Sequence, residues 1–169
     1  ERRESLAEDL AEWADAMANW HQLRDQSTRT IAFPFNTFRS GQREMAVEVY
    51  RTIKNNSHLI VQAATGIGKT MAAVFPAVKA MGSGLTEKIF YLTAKTTGRA
   101  VAQKALDDLR AGGLKLKSLT LTAKDKICFK AERTCNGEEC EFARGYYDRI
   151  NEATATVFQR DCHALTREA

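Results

Sequence analysis

The chain has 169 residues, 25 basic against 21 acidic, a net charge of +4 and a hydrophobic fraction of 44%. That is the size of one ordinary domain with a sizeable core, and the balance excludes wholesale disorder. No apolar run approaches the roughly 20 residues of a membrane span and no leader pattern opens the chain, so the sequence predicts a cytoplasmic protein without a membrane partner.

Leu6, Leu10, Trp13, Met17 and Trp20 recur at three- and four-residue steps, which predicts an amphipathic helix from about Ser5 to Arg24, its face packed on a core or partner. The polar "RDQSTRT" that follows reads as a linker. Pro34 disfavours helix in the next segment, and Ser40 is placed to cap a helix running to about Lys54. "NNSH" is a loop, and Leu59–Ala63 reads as a short buried strand. A helix is predicted from Lys69 to about Met81, a second strand over Lys88–Thr93, and a helix over Thr96–Ala111 ended by Gly112 and Gly113. "KLKSLTLT" alternates as a third strand. This order predicts an α/β fold, a parallel sheet with right-handed crossovers and helices on both faces. After Thr122 the periodicity fades, and residues 123–169 read as a separate, mostly helical, cysteine-bearing subdomain.

"AATGIGKT", Ala63 to Thr70, lies between a predicted strand and a predicted helix. The phosphate-loop pattern asks for a small residue, four positions, then Gly-Lys-Ser/Thr; Ala63 stands where glycine is usual. Thr65, Gly66, Ile67 and Gly68 would turn backbone N–H groups toward phosphate oxygens at a helix N-terminus. Lys69 would reach the β- and γ-phosphates of ATP, and the Thr70 hydroxyl would ligate Mg²⁺. A chance glycine-rich turn is the bland alternative; the strand-before, helix-after context speaks for the loop.

"FPFNTFRSGQ", followed some twenty residues on by "QAATGIGKT", resembles the superfamily 2 DNA helicases of the XPD/DinG type, which carry an iron–sulfur cluster. The resemblance implies a RecA-like P-loop fold and places Gln42 at the adenine-reading glutamine of that family, with Arg39 or Phe38 beside the base. "YLTAKT" resembles the family's motif Ia, so Thr93, Lys95 and Thr96 would contact the phosphates of single-stranded DNA. Plain core packing is the alternative for Phe33, Phe35 and Phe38, and a solvated turn for the motif Ia residues. "LTAKDKICF" and "CNGEECEFARGYYDR" look like the start of the family's cluster domain, closest to bacterial DinG-like members, with Lys124 as a further DNA contact. Lys126, Lys130, Arg133, Arg144 and Arg149 lie around it, either as a DNA path or as a mixed solvated face. Domains are accordingly expected at 1–30 (helix and linker), 31–122 (part of motor domain 1) and 123–169 (part of the iron–sulfur domain).

Cys128, Cys135 and Cys140 are separated by six and four residues, a spacing that suits a 4Fe–4S cluster better than a zinc knuckle, with free thiols as the further alternative. Cys162 is the remaining cysteine, with His163 after it, and is the weaker candidate for the fourth ligand; a cysteine beyond residue 169 is the other. No Asp-Glu pair of the kind that holds Mg²⁺ and activates water occurs in the sequence, and the chain opens at Glu1, so it reads as a fragment of a motor. The expected whole is a monomeric ATP-dependent helicase moving 5′ to 3′ on single-stranded or forked DNA in repair, with this fragment inactive alone. A P-loop NTPase or kinase unrelated to nucleic acid, and a zinc-bearing nucleic-acid-binding module, are the competing classes.

Overall fold

A computed structural model describes residues 2–94, 96–121, 128–130 and 135–159. Five helices occur among them: α1 (Arg2–Thr30), α2 (Gln42–Lys54), α3 (Lys69–Gly82), α4 (Thr96–Ala111) and α5 (Tyr146–Gln159). None is long and apolar enough to cross a membrane. The chain divides into two compact units, Glu1–Leu116 and Lys117–Ala169.

In the first unit α3 is the central element, packed against α1, α2 and α4. Its sequence is apolar nearly all round, and Met71, Ala72, Val74, Ala77, Val78, Ala80 and Met81 are all buried. A helix of that kind is stable only when neighbours cover it on several sides. The core joins Met71, Val74 and Val78 of α3 to Ala105 and Leu109 of α4, and to Ile31 and Leu114. Gly112 and Gly113 end α4 as expected: Leu114 N–H reaches back to Leu109 O at 3.1 Å, and Gly113 takes a φ of 99° that favours glycine.

The expected linker "RDQSTRT" is instead the last two turns of α1. Hydroxyls usually argue against helix because they compete for backbone groups. Here they bond back into the same helix: Thr28 Oγ1 donates to Arg24 O at 2.9 Å and Thr30 Oγ1 to Gln26 O at 3.0 Å. Tertiary contacts then hold the segment. Arg29 Nε donates to Gly82 O at 2.7 Å, Lys115 N–H donates to Ser27 Oγ at 2.9 Å, and Lys79 Nζ donates to the carbonyls of Arg29 and Ile31. Thr28 is fully buried where α1 meets the end of α3. On the apolar face expected to pack on a core or partner, Leu10 and Trp13 are 65% and 54% exposed, while Met17 and Trp20 are half-buried. The polar C-terminal turns of α1 are thus held to the rest of the first unit by hydrogen bonds of their own.

Ser40 does not cap α2. The cap position is Gly41, at φ 75°, and no side chain caps the helix there. The turn is closed from the other side, because Gln42 Oε1 accepts the Arg39 N–H at 3.0 Å. The larger difference concerns the sheet. Among the described residues Leu59–Ala63, Lys88–Thr93 and the stretch from Lys115 form no strand ladder, and Leu119 makes an isolated bridge. Parallel pairing is non-local, and a strand apolar on both faces needs neighbours on both edges and covers on both sides. In the first two segments Ile60, Phe90 and Leu92 are 98%, 80% and 89% exposed.

Candidate functional site

The site lies within the first unit, where three pieces of chain meet. The Phe33–Arg39 segment is fixed to α3 by aromatic contacts: the ring of Phe33 stacks on Phe38 at 3.8 Å and meets Phe75 edge-on at 5.5 Å. Phe33 thus anchors the segment, and Arg39 and Gln42 follow from it toward the glycine loop. Gln42 is 3% exposed, and its Nε2 donates to Gly68 O at 3.2 Å while its Oε1 holds the Arg39 N–H. A guanidinium N–H of Arg39 donates to Gly66 O. One glutamine and one arginine therefore tie the segment before α2 to the loop before α3.

The loop is shaped by its glycines. Gly66 and Gly68 have φ of 87° and 81°, values that side-chain-bearing residues rarely adopt. Gly68 is also crowded: a Cβ there would lie 2.3 Å from Gln42 Nε2. Lys69 and Thr70 open α3, and Ala72 N–H reaches Gly68 O at 3.0 Å. Lys69 Nζ donates to the carbonyls of Ala63 at 3.2 Å and Ala64 at 2.7 Å, so its side chain curls over its own loop. An ammonium in that place, beside the N-terminus of a helix, suits an anion.

These groups line a cleft of about 510 Å³, a volume typical of small-molecule sites. Arg39, Gln42, Gly66, Gly68, Lys69 and Thr70 all border it. Thr65 and Ile67 belong to the loop but not to the cleft lining. Of the aromatic residues, Phe35 faces the cleft, whereas Phe38 lines a separate groove between α2 and α3 with Tyr50 and Phe75. Arg39, not Phe38, is therefore the one of the two base-stacking candidates that borders the cleft.

Sequence reasoning missed the third wall. Val101, Lys104, Ala105 and Asp108 of α4 also border the cleft. Their spacing puts them on one helical face, which from sequence alone looks like ordinary packing. Lys104 Nζ sits 2.9 Å from Asp108 Oδ1.

Of the motif Ia residues, Thr93 does not border the cleft. Thr93 is exposed, and its hydroxyl occupies the space that a Cβ on Gly98 of α4 would need, 2.2 Å away. Thr96 is the first residue of α4. Lys95, Lys124 and Cys162 lie outside the described residues.

In the second unit Cys140 is buried, Cys128 half-buried and Cys135 exposed, and none is in a disulfide. Cys140 sits in a tight turn, its N–H on Asn136 O at 2.8 Å and its carbonyl accepting from Ala143 and Arg144 at 3.0 Å. Several of the basic residues are occupied by backbone carbonyls. Arg144 reaches Gly137 and Glu138, Arg149 reaches Phe142 at 2.9 Å, and Lys130 reaches Glu139 at 3.3 Å. Among the described residues no three cysteine, histidine or carboxylate side chains converge to hold a metal.

Comparison with known proteins agrees with the cleft. Residues 41–150 match the model of the DEAD/DEAH box helicases. A 46-residue stretch is 44% identical to a probable ATP-dependent helicase of Methanocaldococcus jannaschii, over 27% of this chain and 7% of that protein. A 42-residue stretch is 48% identical to the ATP-dependent helicase DinG of Mycobacterium tuberculosis, over 25% of this chain and 6% of that protein. The aligned part is thus a small share of either relative. No solved structure matches the chain. The DEAD/DEAH domain implies a P-loop NTPase fold of the RecA-like type. Since the family match takes in the glycine loop, α2, α3 and α4 and extends over more than half of the sequence, the chain belongs to the DEAD/DEAH box helicase family.

Proposed function

We propose that the protein is an ATP-dependent DNA helicase and that the cleft of the first unit is its nucleotide site. The observation that carries this reading is the joining of Arg39 and Gln42 to the Gly66–Thr70 loop around one cleft. In it the amide of Gln42 and the guanidinium of Arg39 select the base, Lys69 takes the β- and γ-phosphates, and Thr70 ligates Mg²⁺. Membership of a helicase family argues against a kinase, and against a zinc module whose loop is incidental. Part of motor domain 1 is assigned to residues 31–122, after an N-terminal helical segment at 1–30. DNA is read as the track, with Thr93, Lys95, Thr96 and Lys124 as phosphate contacts, 5′ to 3′ movement and a role in repair. These finer points rest on the resemblance to XPD/DinG-type helicases.

The test is binding of a fluorescent ATP analogue with Mg²⁺. The 169-residue chain is expected to bind it, and Lys69→Ala to weaken it about tenfold or more, as loss of a charge-assisted phosphate contact should. Because the chain holds no Asp-Glu pair to activate water, steady-state hydrolysis by the chain alone is expected at background. Turnover above background that disappears in Lys69→Ala would refute that expectation.

Residues 123–169 are assigned to an iron–sulfur domain, with Cys128, Cys135 and Cys140 as ligands and Cys162 as the weaker fourth candidate; the support is their spacing. Anaerobically purified protein is expected to carry iron and inorganic sulfide in equal amounts and to lose both in Cys135→Ser. Stoichiometric zinc, or neither metal, would overturn the assignment.

A further inference from the structure

The geometry points to Lys104 as a second phosphate-contacting lysine of the cleft, held in reserve by Asp108. The inference rests on the nucleotide reading above and adds a residue to it.

Lys104 and Asp108 border the same cleft as Lys69 and Thr70, from the α4 side. Asp108 is the one carboxylate among the described residues that line it. The two groups are bonded to each other, with Lys104 Nζ 2.9 Å from Asp108 Oδ1 and 3.1 Å from Oδ2. Their neighbour Asp107 is engaged separately, by Gln103 and Arg110, each at 2.9 Å. The Lys104–Asp108 pair is therefore a distinct unit facing the cleft.

That pair is poorly arranged for helix stability. The base precedes the acid, the weaker order for an i,i+4 pair, and the acid lies in the last turn of α4, where the helix dipole disfavours negative charge. The lysine side chain is 74% exposed, so water screens the attraction. An ion pair so weakly held gives way readily to a stronger anion. A nucleoside triphosphate brings several negative charges into a cleft that already presents Lys69. The ammonium of Lys104 can then exchange one carboxylate for a phosphate oxygen without α4 moving. Asp108 has two effects: it keeps the lysine aimed along the cleft wall, and it competes with the phosphate for it.

This makes the two residues opposite in sign, which a structural ion pair would not be. The experiment is titration of the 169-residue chain with a fluorescent ATP analogue and Mg²⁺, with ADP and AMP as competitors. Lys104→Gln is expected to weaken the analogue roughly fivefold to tenfold and to leave AMP competition unchanged, since AMP lacks the distal phosphates. Asp108→Asn is expected to tighten the analogue roughly twofold to fivefold, because the competitor for the lysine is gone. Both variants remove the same ion pair, so a purely structural role would shift both in one direction. Weakening in both variants, or no change in Lys104→Gln while Lys69→Ala weakens binding, overturns the proposal alone. If wild-type protein fails to bind the analogue, or Lys69→Ala binds as well as wild type, the nucleotide reading fails and the proposal with it.

Discussion

Gly68→Ala is expected to lower the stability of the first unit by about 3 kcal/mol and to abolish measurable binding of an ATP analogue. Two costs combine. At φ 81° a Cβ is strained, by on the order of 1–3 kcal/mol for a non-glycine residue. The new Cβ would also lie 2.3 Å from Gln42 Nε2. A flexible side-chain end often moves aside cheaply, but this one is buried and bonded at both atoms, to Gly68 O at 3.2 Å and to the Arg39 N–H at 3.0 Å. Displacing it leaves buried polar groups unpaired, at roughly 1–3 kcal/mol. Gly66→Ala is the internal control. Its φ of 87° is similar, but nothing lies within 4 Å of the added Cβ. It should carry the strain without the clash and lose about 1 kcal/mol. Urea unfolding of the two variants separates the terms, and equal losses would mean that the Gln42 contact contributes nothing.

Gly82→Ala is expected to destabilise the protein by about 3 kcal/mol, a fall in Tm on the order of 10 °C. Helix propensity alone predicts the opposite sign, since alanine is favoured over glycine within a helix by roughly 1 kcal/mol. The structure reverses it because α1 crosses the end of α3 with backbone against backbone. A Cβ on Gly82 would lie 2.7 Å from both Arg29 N and Thr28 C. Neither atom is the tip of a flexible side chain, so the helices must part. Parting them costs the Arg29–Gly82 hydrogen bond and exposes Thr28. A thermal melt that rises in Gly82→Ala would show that the crossing is looser than described.

Both effects come from contacts between segments far apart in the chain, and neither glycine announces its partner. The glycine loop itself was legible. "GIGKT" has a local reason for each residue: φ above zero at two glycines, then a lysine and a hydroxyl at the start of a helix. The helices over Lys69–Gly82 and Thr96–Ala111 were legible too, because apolar spacing, a preceding turn and a Gly-Gly stop are local signals. The polar C-terminal turns of α1 were not, because their helicity depends on Gly82, Lys79 and Lys115. The pairing of the strand segments is not legible for the same kind of reason. Their apolar composition fits burial, but a parallel ladder needs strands distant in sequence on both edges, and no ladder forms among the described residues.

The sequence by itself determined which residues can meet a phosphate and where the helix behind them starts, since backbone dihedrals and helix capping are settled over a few neighbouring residues. Only the tertiary structure decided what surrounds that loop. It brought Gln42 and Arg39 onto the carbonyls of Gly68 and Gly66, chose Phe35 over Phe38 for the cleft, and supplied Lys104 and Asp108 from α4. Those choices follow from how α3 packs against its neighbours, and packing is a property of surfaces that meet in space rather than of spacing along the chain.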